Sequence, residues 1–465
     1  MRSPRALRSS MHLLRTAARA LAMTGLVASA LACSSGDKAK PSRPDPSAGA
    51  SASPADNPIT ATATVEATPA AAPVATPPST PAAAVREHAS VEGKDFIEDA
   101  KLLFRVAACG HAEQPLPPEL TRGEPALEKK IAAIVHRHCK RITEQLGKFR
   151  AQYFEKARPW FDAVVPATTP TTVVYPFGGG DLLSALVAFP NATEITTISL
   201  EQSGDPRRLR TLTPAALDAS LGALRAEIGG LISVGSNTSV NLSAQQKNDL
   251  PGQVSSFLLG LVAGGYEPVA MRYFRLDDAG NIDYLDDAEI AALDGTKLRS
   301  LKHDWESPNF SPAFAHVEIT YRRPGEAGAR VHRHFGWNLG DSYLKEHPQL
   351  LRHLEQKGKV TVLTKGASYL LWRGDFSLIR NYLLDHLAWM LSDSTGIPPA
   401  YAQKAGMVQE TYGRYSGAFL EGAQAGKHDE AFIELWQKQK PRPLRFRFGY
   451  VDKNKQAHLV VTRPK

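Results

Sequence analysis

The sequence predicts an α/β protein: a mixed sheet around a βαβ unit, an N-terminal helical segment and additional antiparallel hairpins. Three observations carry this. First, the β-rich run Val173-Val174-Tyr175-Pro176-Phe177 enters three consecutive glycines, Gly178, Gly179 and Gly180. An apolar helix-like run from Leu182 to Phe189 leaves them, Pro190-Asn191 stops it, and Glu194 to Glu201 reads as a second strand ending in a carboxylate. Second, the segments upstream keep helical apolar spacing, with Ile131, Ile134, Val135 and Ile142 on one stripe. Third, His316 to Tyr321 and Val331 to Trp337 alternate with period two around a turn near Pro324-Gly325.

The chain opens on a basic stretch, Arg2, Arg5, Arg8, Arg15 and Arg19, followed by a short apolar run from Ala20 to Ala32. That order describes an export signal over residues 1–33, too short and small-sided for a membrane span. Ala30-Leu31-Ala32-Cys33 resembles a bacterial lipoprotein lipobox, with its leucine two places before the cysteine rather than three. The resemblance implies that Cys33 carries the lipid and that the protein sits on a membrane of the cell envelope. The formal charge is +8, and removing the five signal arginines leaves +3, so no electrostatic case exists for a nucleic-acid partner.

Residues 34–89 are rich in Ala, Pro, Ser and Thr, with no Phe, Trp or Tyr. Such a segment buries too little apolar surface to offset its ordering entropy, and reads as a disordered tether spanning on the order of 40 Å. Residues 90–465 form the expected globular domain, helical from 90 to 165. Helices are expected over Phe96 to Val106 and from about Pro125 to Lys156. Cys109 and Cys139 are the only cysteines beyond the signal, and an oxidising compartment favours a disulfide between them. Zinc on Cys109, His111, His136, His138 and Cys139 is the rival, but neighbours on a helix fan apart.

Beyond the βαβ unit, Thr213-Pro214 opens a helix running to Ile228, and Val254 to Val262 reads as another. Val269 to Leu276 and Ile282 to Leu285 form a hairpin across Asp277 to Asn281. A helix near Tyr343 to Gln356, a strand near Val360 to Leu363, and a long helix capped by Asp375 and extending through Leu387 and Met390 follow. Lys365 to Trp372 fits either a strand or a buried helix. Leu444 to Val451 and His458 to Val461 read as a closing hairpin.

The candidate chemistry begins at the glycine turn. Val173 to Glu201 resembles the first motif of the class I methyltransferase fold, or a nucleotide-binding βαβ unit, and implies a Rossmann-like core. There the glycines let a cofactor approach the backbone and the acid, here Glu201, holds ribose hydroxyls. Several features depart from that pattern. The glycines are contiguous, Tyr175-Pro176 stand where the methyltransferase motif carries an acid, and Asp181 at the helix start repels a pyrophosphate. Export also removes the chain from cytoplasmic cofactors, so none is expected. A ligand cleft of Gly178, Gly179, Gly180, Asp181, Glu201 and Lys365 remains, with Lys365 as the cation between two carboxylates. A weaker alternative is a metal on His316, Glu318, His332 and His334, if the apolar faces of their hairpin align. A Lys365–Ser368 dyad requires a helical segment there.

Tyr175-Pro176-Phe177, Asp181, Ser199-Leu200-Glu201, Lys365 to Leu370, Ile379-Arg380 and Asp393 to Pro398 together resemble an uncharacterised family of bacterial envelope lipoproteins. That family carries no activity over. The expected function is a membrane-tethered binding domain for a ligand or a protein. The alternatives are an envelope hydrolase and a degenerate methyltransferase-like fold without cofactor.

Overall fold

The computed structural model describes residues 93–120, 124–233, 250–294, 311–417, 426–449 and 454–465. The export signal, Cys33 and the tether lie outside the described residues. The fold is α/β, with a ten-stranded mixed sheet. Its strands are β1 Thr172–Pro176, β2 Glu194–Ser199, β3 Glu267–Leu276, β4 Ile282–Tyr284 and β5 His316–Arg322. They continue as β6 Arg330–Gly336, β7 Val360–Thr364, β8 Leu387–Ser392, β9 Met407–Gly413 and β10 His458–Pro464. The spatial order is β4-β3-β5-β6-β2-β1-β7-β8-β10-β9. The five central strands, β6, β2, β1, β7 and β8, are parallel; the flanking pairs are antiparallel.

A parallel sheet must be covered on both faces, and two apolar layers do this. One holds α1 Ile97–Val106, α2 Pro125–Phe149, α3 Glu155–Val164, α4 Leu182–Ala188, α5 Pro214–Ser233 and α6 Gly252–Gly264, packed on Val173, Tyr175, Ile195 and Leu363. The other holds α7 Asp341–Glu346, α8 Gln349–Glu355 and α9 Ser377–His386, packed on Val174, Ile198, Val362 and Met390. Odd and even residues of the same strand thus serve different cores, as the period-two geometry of a strand requires. Among the described residues no helix is long and apolar enough to cross a membrane.

Cys109 and Cys139 form a disulfide with Cα atoms 5.3 Å apart, joining the end of α1 to α2. Closing this loop contributes about 3–4 kcal/mol in the chain-entropy model. The neighbouring His138 is not left over for a metal, because its Nε2 bonds Ala107 O at 2.9 Å and its Nδ1 bonds Arg225 at 2.9 Å.

Three expectations about elements are corrected. The helix from Asp375 does not reach Met390: α9 ends at His386 and Leu387–Ser392 is β8, paired to both β7 and β10. Its first amides are held by Asp341, at 3.1 Å from Ser377 N and 2.9 Å from Leu378 N, while Asp375 pairs with Arg373. The closing hairpin is also different. Leu444 to Gly449 is not a strand, and β10 pairs instead with β9, well upstream of that segment, and with β8. The helix expected near Tyr343 to Gln356 is two short helices, α7 and α8, separated at His347 and Pro348, since proline supplies no amide to a continuing helix.

Candidate functional site

The parallel strands change direction of progression between β1 and β7. Everything after β1 in the first half lies on one side, and everything after β7 lies on the other. Such a switch point opens a crevice beyond the carboxyl ends of the strands. The β1 side of it is built by the turn from Phe177 to Asp181. Phe177 sits at φ 61° and Gly179 at φ 50°, so two left-handed residues reverse the chain within one turn. Holding a phenylalanine there costs about 1–3 kcal/mol, and such strain persists only where the surroundings enforce it. Asp181 N closes the turn on Gly178 O at 3.0 Å.

Asp181 then starts α4 and is buried. Its Oδ1 accepts from Ser184 N at 3.1 Å, which is an N-cap bond. Its Oδ2 accepts from Tyr175 OH at 3.0 Å and lies 2.5 Å from Lys365 Nζ. Lys365 follows β7 directly and also donates to Ser184 Oγ at 2.8 Å. Four side chains from β1, α4 and the β7 loop therefore form one network at the switch point. Burial, and then the charge of Asp181, push the Tyr175 hydroxyl well above the usual tyrosine range. Tyr175 stays a donor.

Glu201 lies just beyond β2, buried at the same edge; a Cβ on Gly179 would stand 3.9 Å from its Oε1. The six expected cleft residues thus share the carboxyl edge of β1, β2 and β7. Lys365 contacts Asp181, and Glu201 borders the glycine turn. Ser368 is not Lys365's partner: it is buried against Thr395 Oγ1 at 2.6 Å. The serine that meets Lys365 is Ser184, from α4.

The histidine hairpin is corrected. Register pairs His316 with Phe335, Val317 with His334, Glu318 with Arg333 and Ile319 with His332. Directly paired residues share a face, so His332 and His334 lie with Val317 and Ile319, and His316 and Glu318 lie on the other side. The four cannot meet at one ion. Instead Thr197 Oγ1 bridges His332 Nε2 and His334 Nδ1, each at 2.9 Å, and His334 Nε2 bonds Glu201 O at 2.7 Å. Phe257 covers both rings, at 4.4 and 5.0 Å between centroids. Glu318 accepts from Arg333 at 2.7 Å and from Tyr284 OH at 2.7 Å.

A cavity of about 100 Å³ adjoins the Asp181–Lys365–Ser184 network. Tyr153, Phe448 and Arg447 line its other side. The Tyr153 hydroxyl is buried, and the Asp181 charge and the Ser184 hydroxyl both act on it. Tyr153 comes from a π-helical turn, Arg150–Phe154, between α2 and α3. Such turns recur at functional sites. Nothing in the local sequence marks Tyr153, Ser184 or Arg447 as site residues, because their elements meet the β1 loop only through the tertiary fold.

Two of the three glycines pack against the protein's own side chains. A Cβ on Gly178 would meet the Tyr175 ring at 2.9 Å, and one on Gly180 would meet Gln253 Oε1 at 2.8 Å and Ser256 Cβ at 2.9 Å. At these two positions the close approach that glycine permits is used by the protein's own side chains, while a Cβ on Gly179 would meet nothing nearer than Glu201 Oε1 at 3.9 Å. Asp181 holds the helix start with a carboxylate where a pyrophosphate would need bare amides. The adjoining cavity is also well below the roughly 300–1,000 Å³ of drug-sized sites. Compared with protein-family models, curated proteins and solved structures, the chain matches none.

Proposed function

We propose that the chain is a lipid-anchored protein of the cell envelope whose α/β domain binds a small polar ligand at the switch point and does no chemistry there. One observation carries the binding reading: a cavity at the switch point is lined by Asp181, Ser184 and Lys365 of the charged network together with Tyr153 and Arg447. A ligand no larger than a few heavy atoms, with an acceptor for Lys365, fits a cavity of that size and lining. The strand order supports a Rossmann-like core. In chain order the parallel strands lie third, second, first, fourth, fifth, which is the doubly wound arrangement. The packing of side chains against Gly178 and Gly180 supports a descendant of such a fold that has given up its cofactor.

Hydrolysis is disfavoured by the direction of the hydrogen bonds. Lys365 donates to Ser184 and pairs with Asp181, so it is not a base for the Ser184 hydroxyl. Histidines that could serve are spent elsewhere: His334 on Thr197 and Glu201 O, and His332 on Thr197.

Calorimetric titration with formate, acetate, glycine and phosphate tests the site. At least one is expected to bind the native chain, and Tyr153→Phe and Lys365→Met are each expected to weaken it by tenfold or more. S-adenosylmethionine and NAD are expected to give no heat. Binding of either cofactor, or small-ligand binding indifferent to both substitutions, would overturn the reading. The anchor is tested separately: Cys33→Ser should move the protein from the membrane to the soluble envelope fraction. Unchanged membrane association rejects the lipid.

A further inference from the structure

A second concavity lies outside this site. It has a volume of about 460 Å³, within the range of cavities that take drug-sized ligands. Its floor is apolar: Leu186 and Val187 of α4, Pro190 after it, and Ala263 near the end of α6. Its rim is cationic. Arg150, Arg158 and Arg323 line it, against Glu155 as the one lining acid. The three arginines are not equivalent. Arg158 is engaged by Asp162 at 2.8 Å. Arg323 pairs with Glu326 at 3.2 Å and lies 4.7 Å over the Tyr266 ring, which Arg330 covers at 4.9 Å. Arg150 has no carboxylate partner among the described residues. It begins the π-helical turn Arg150–Phe154, whose wider winding places Phe154 on this cleft and Tyr153 in the smaller cavity.

An apolar trough with an excess of guanidinium at its rim is complementary to one chemical class, an acyl chain with an anionic head. Burial of the chain supplies a non-directional gain of about 25 cal/mol per Å² of apolar surface. The head supplies direction, because hydrogen bonds from guanidinium to carboxylate are charge-assisted and stronger than neutral ones. A neutral or cationic head gains the first and not the second. We propose that this cleft binds a single-chain carboxylate amphiphile of the fatty-acid type, its tail on Leu186, Val187 and Ala263 and its carboxylate on Arg150. The site shares only Leu183 with the smaller cavity, so the two proposals stand or fall apart.

Titration of the full chain carrying Cys33→Ser, in detergent-free buffer, tests this with decanoate and decyltrimethylammonium as probes below their micellar concentrations. Decanoate is expected to bind one to one, and decyltrimethylammonium at least tenfold more weakly. Arg150→Glu, at an exposed position, should weaken decanoate by tenfold or more. Ala263→Phe, at a half-buried position on the floor, should abolish it. Equal affinity for the two head groups overturns the proposal, as do decanoate binding indifferent to both Arg150→Glu and Ala263→Phe and no decanoate heat at millimolar concentration.

Discussion

The domain is expected to lose stability steeply between pH 6.5 and pH 4. Burial lowers His138, His334 and His353 to about 4 and His316 to about 3, and it holds His332 well below its ordinary value. Neighbouring charges add to this: Arg225 on His138, His334 on His316, and Lys357 on His353. In the unfolded chain each of these rings titrates near 6.5. Between those limits the unfolded state binds more protons than the native state, so stability falls as the pH falls. Above pH 6.5 both states are neutral at these sites and nothing is lost. At pH 5 a ring lowered from 6.5 to about 4 costs about 2 kcal/mol, and the four rings His138, His316, His334 and His353 together about 5–10 kcal/mol. That is comparable with the whole stability of an ordinary domain, about 5–15 kcal/mol. Glu194 does not produce the same window. Although burial raises Glu194, Lys357 and Arg333 hold it down to about 2, so its contribution begins to fade only below the ordinary glutamate range. Urea unfolding at pH 7.5 and pH 5 checks this: the midpoint should drop sharply between the two, with most of the fall below pH 6.5. A midpoint that is flat across that range would show that these histidines are protonated in the native state or accessible to water.

What could be read from the sequence depended on how local the deciding interaction was. β1, α4 and β2 were legible because an apolar strand run, three glycines, a capping aspartate and Pro190-Asn191 mark every boundary in adjacent residues. β8 was not. Leu387 and Met390 continue the helical spacing of Ile379 and Leu383, and no glycine or proline separates His386 from Leu387. Its state is decided by pairing with Thr361 to Thr364 on one side and Val460 to Thr462 on the other. The histidine hairpin failed for a related reason. Alternation identifies a buried face only when the other face meets water, and here both faces are covered. Arg333 reaches Glu194 on the neighbouring parallel strand at 2.7 Å and Glu318 on the hairpin partner. At the site, Asp181, Glu201 and Lys365 were legible because each follows a recognisable strand. Ser184 was hidden inside an apolar helix, and Tyr153 and Arg447 come from segments whose approach only the packing reveals.

The other large effect is expected at Asp181. Its side chain is 6% exposed and that of Lys365 20%, so neither charge is well solvated without the other. Removing one member of a buried pair strands its partner, typically at a cost of about 3–5 kcal/mol. Asp181→Ala should reach the upper part of that range, because it also deletes the cap on Ser184 N, worth about 1 kcal/mol, and leaves the Tyr175 hydroxyl without its acceptor. Asp181→Asn keeps an oxygen for the cap and should cost less. Lys365→Met leaves the carboxylate with Tyr175 and the Ser184 amide only, and should also be strongly destabilising. The double variant Asp181→Asn with Lys365→Met removes both charges together. It is expected to be more stable than the sum of the single losses by at least about 2 kcal/mol, since buried pairs often exchange for neutral groups at little net cost. Denaturant unfolding of the four chains gives that coupling directly. The double variant also separates structure from binding. If the pair serves only to cap α4 and fill the crevice, restored stability should bring back every property of the native chain. If the pair forms the floor of a ligand site, the double variant should fold well and still fail to bind the small polar ligand. Single substitutions that each cost less than about 1 kcal/mol would mean that the pair is effectively solvated, and the switch point would then lose its claim to be a built site.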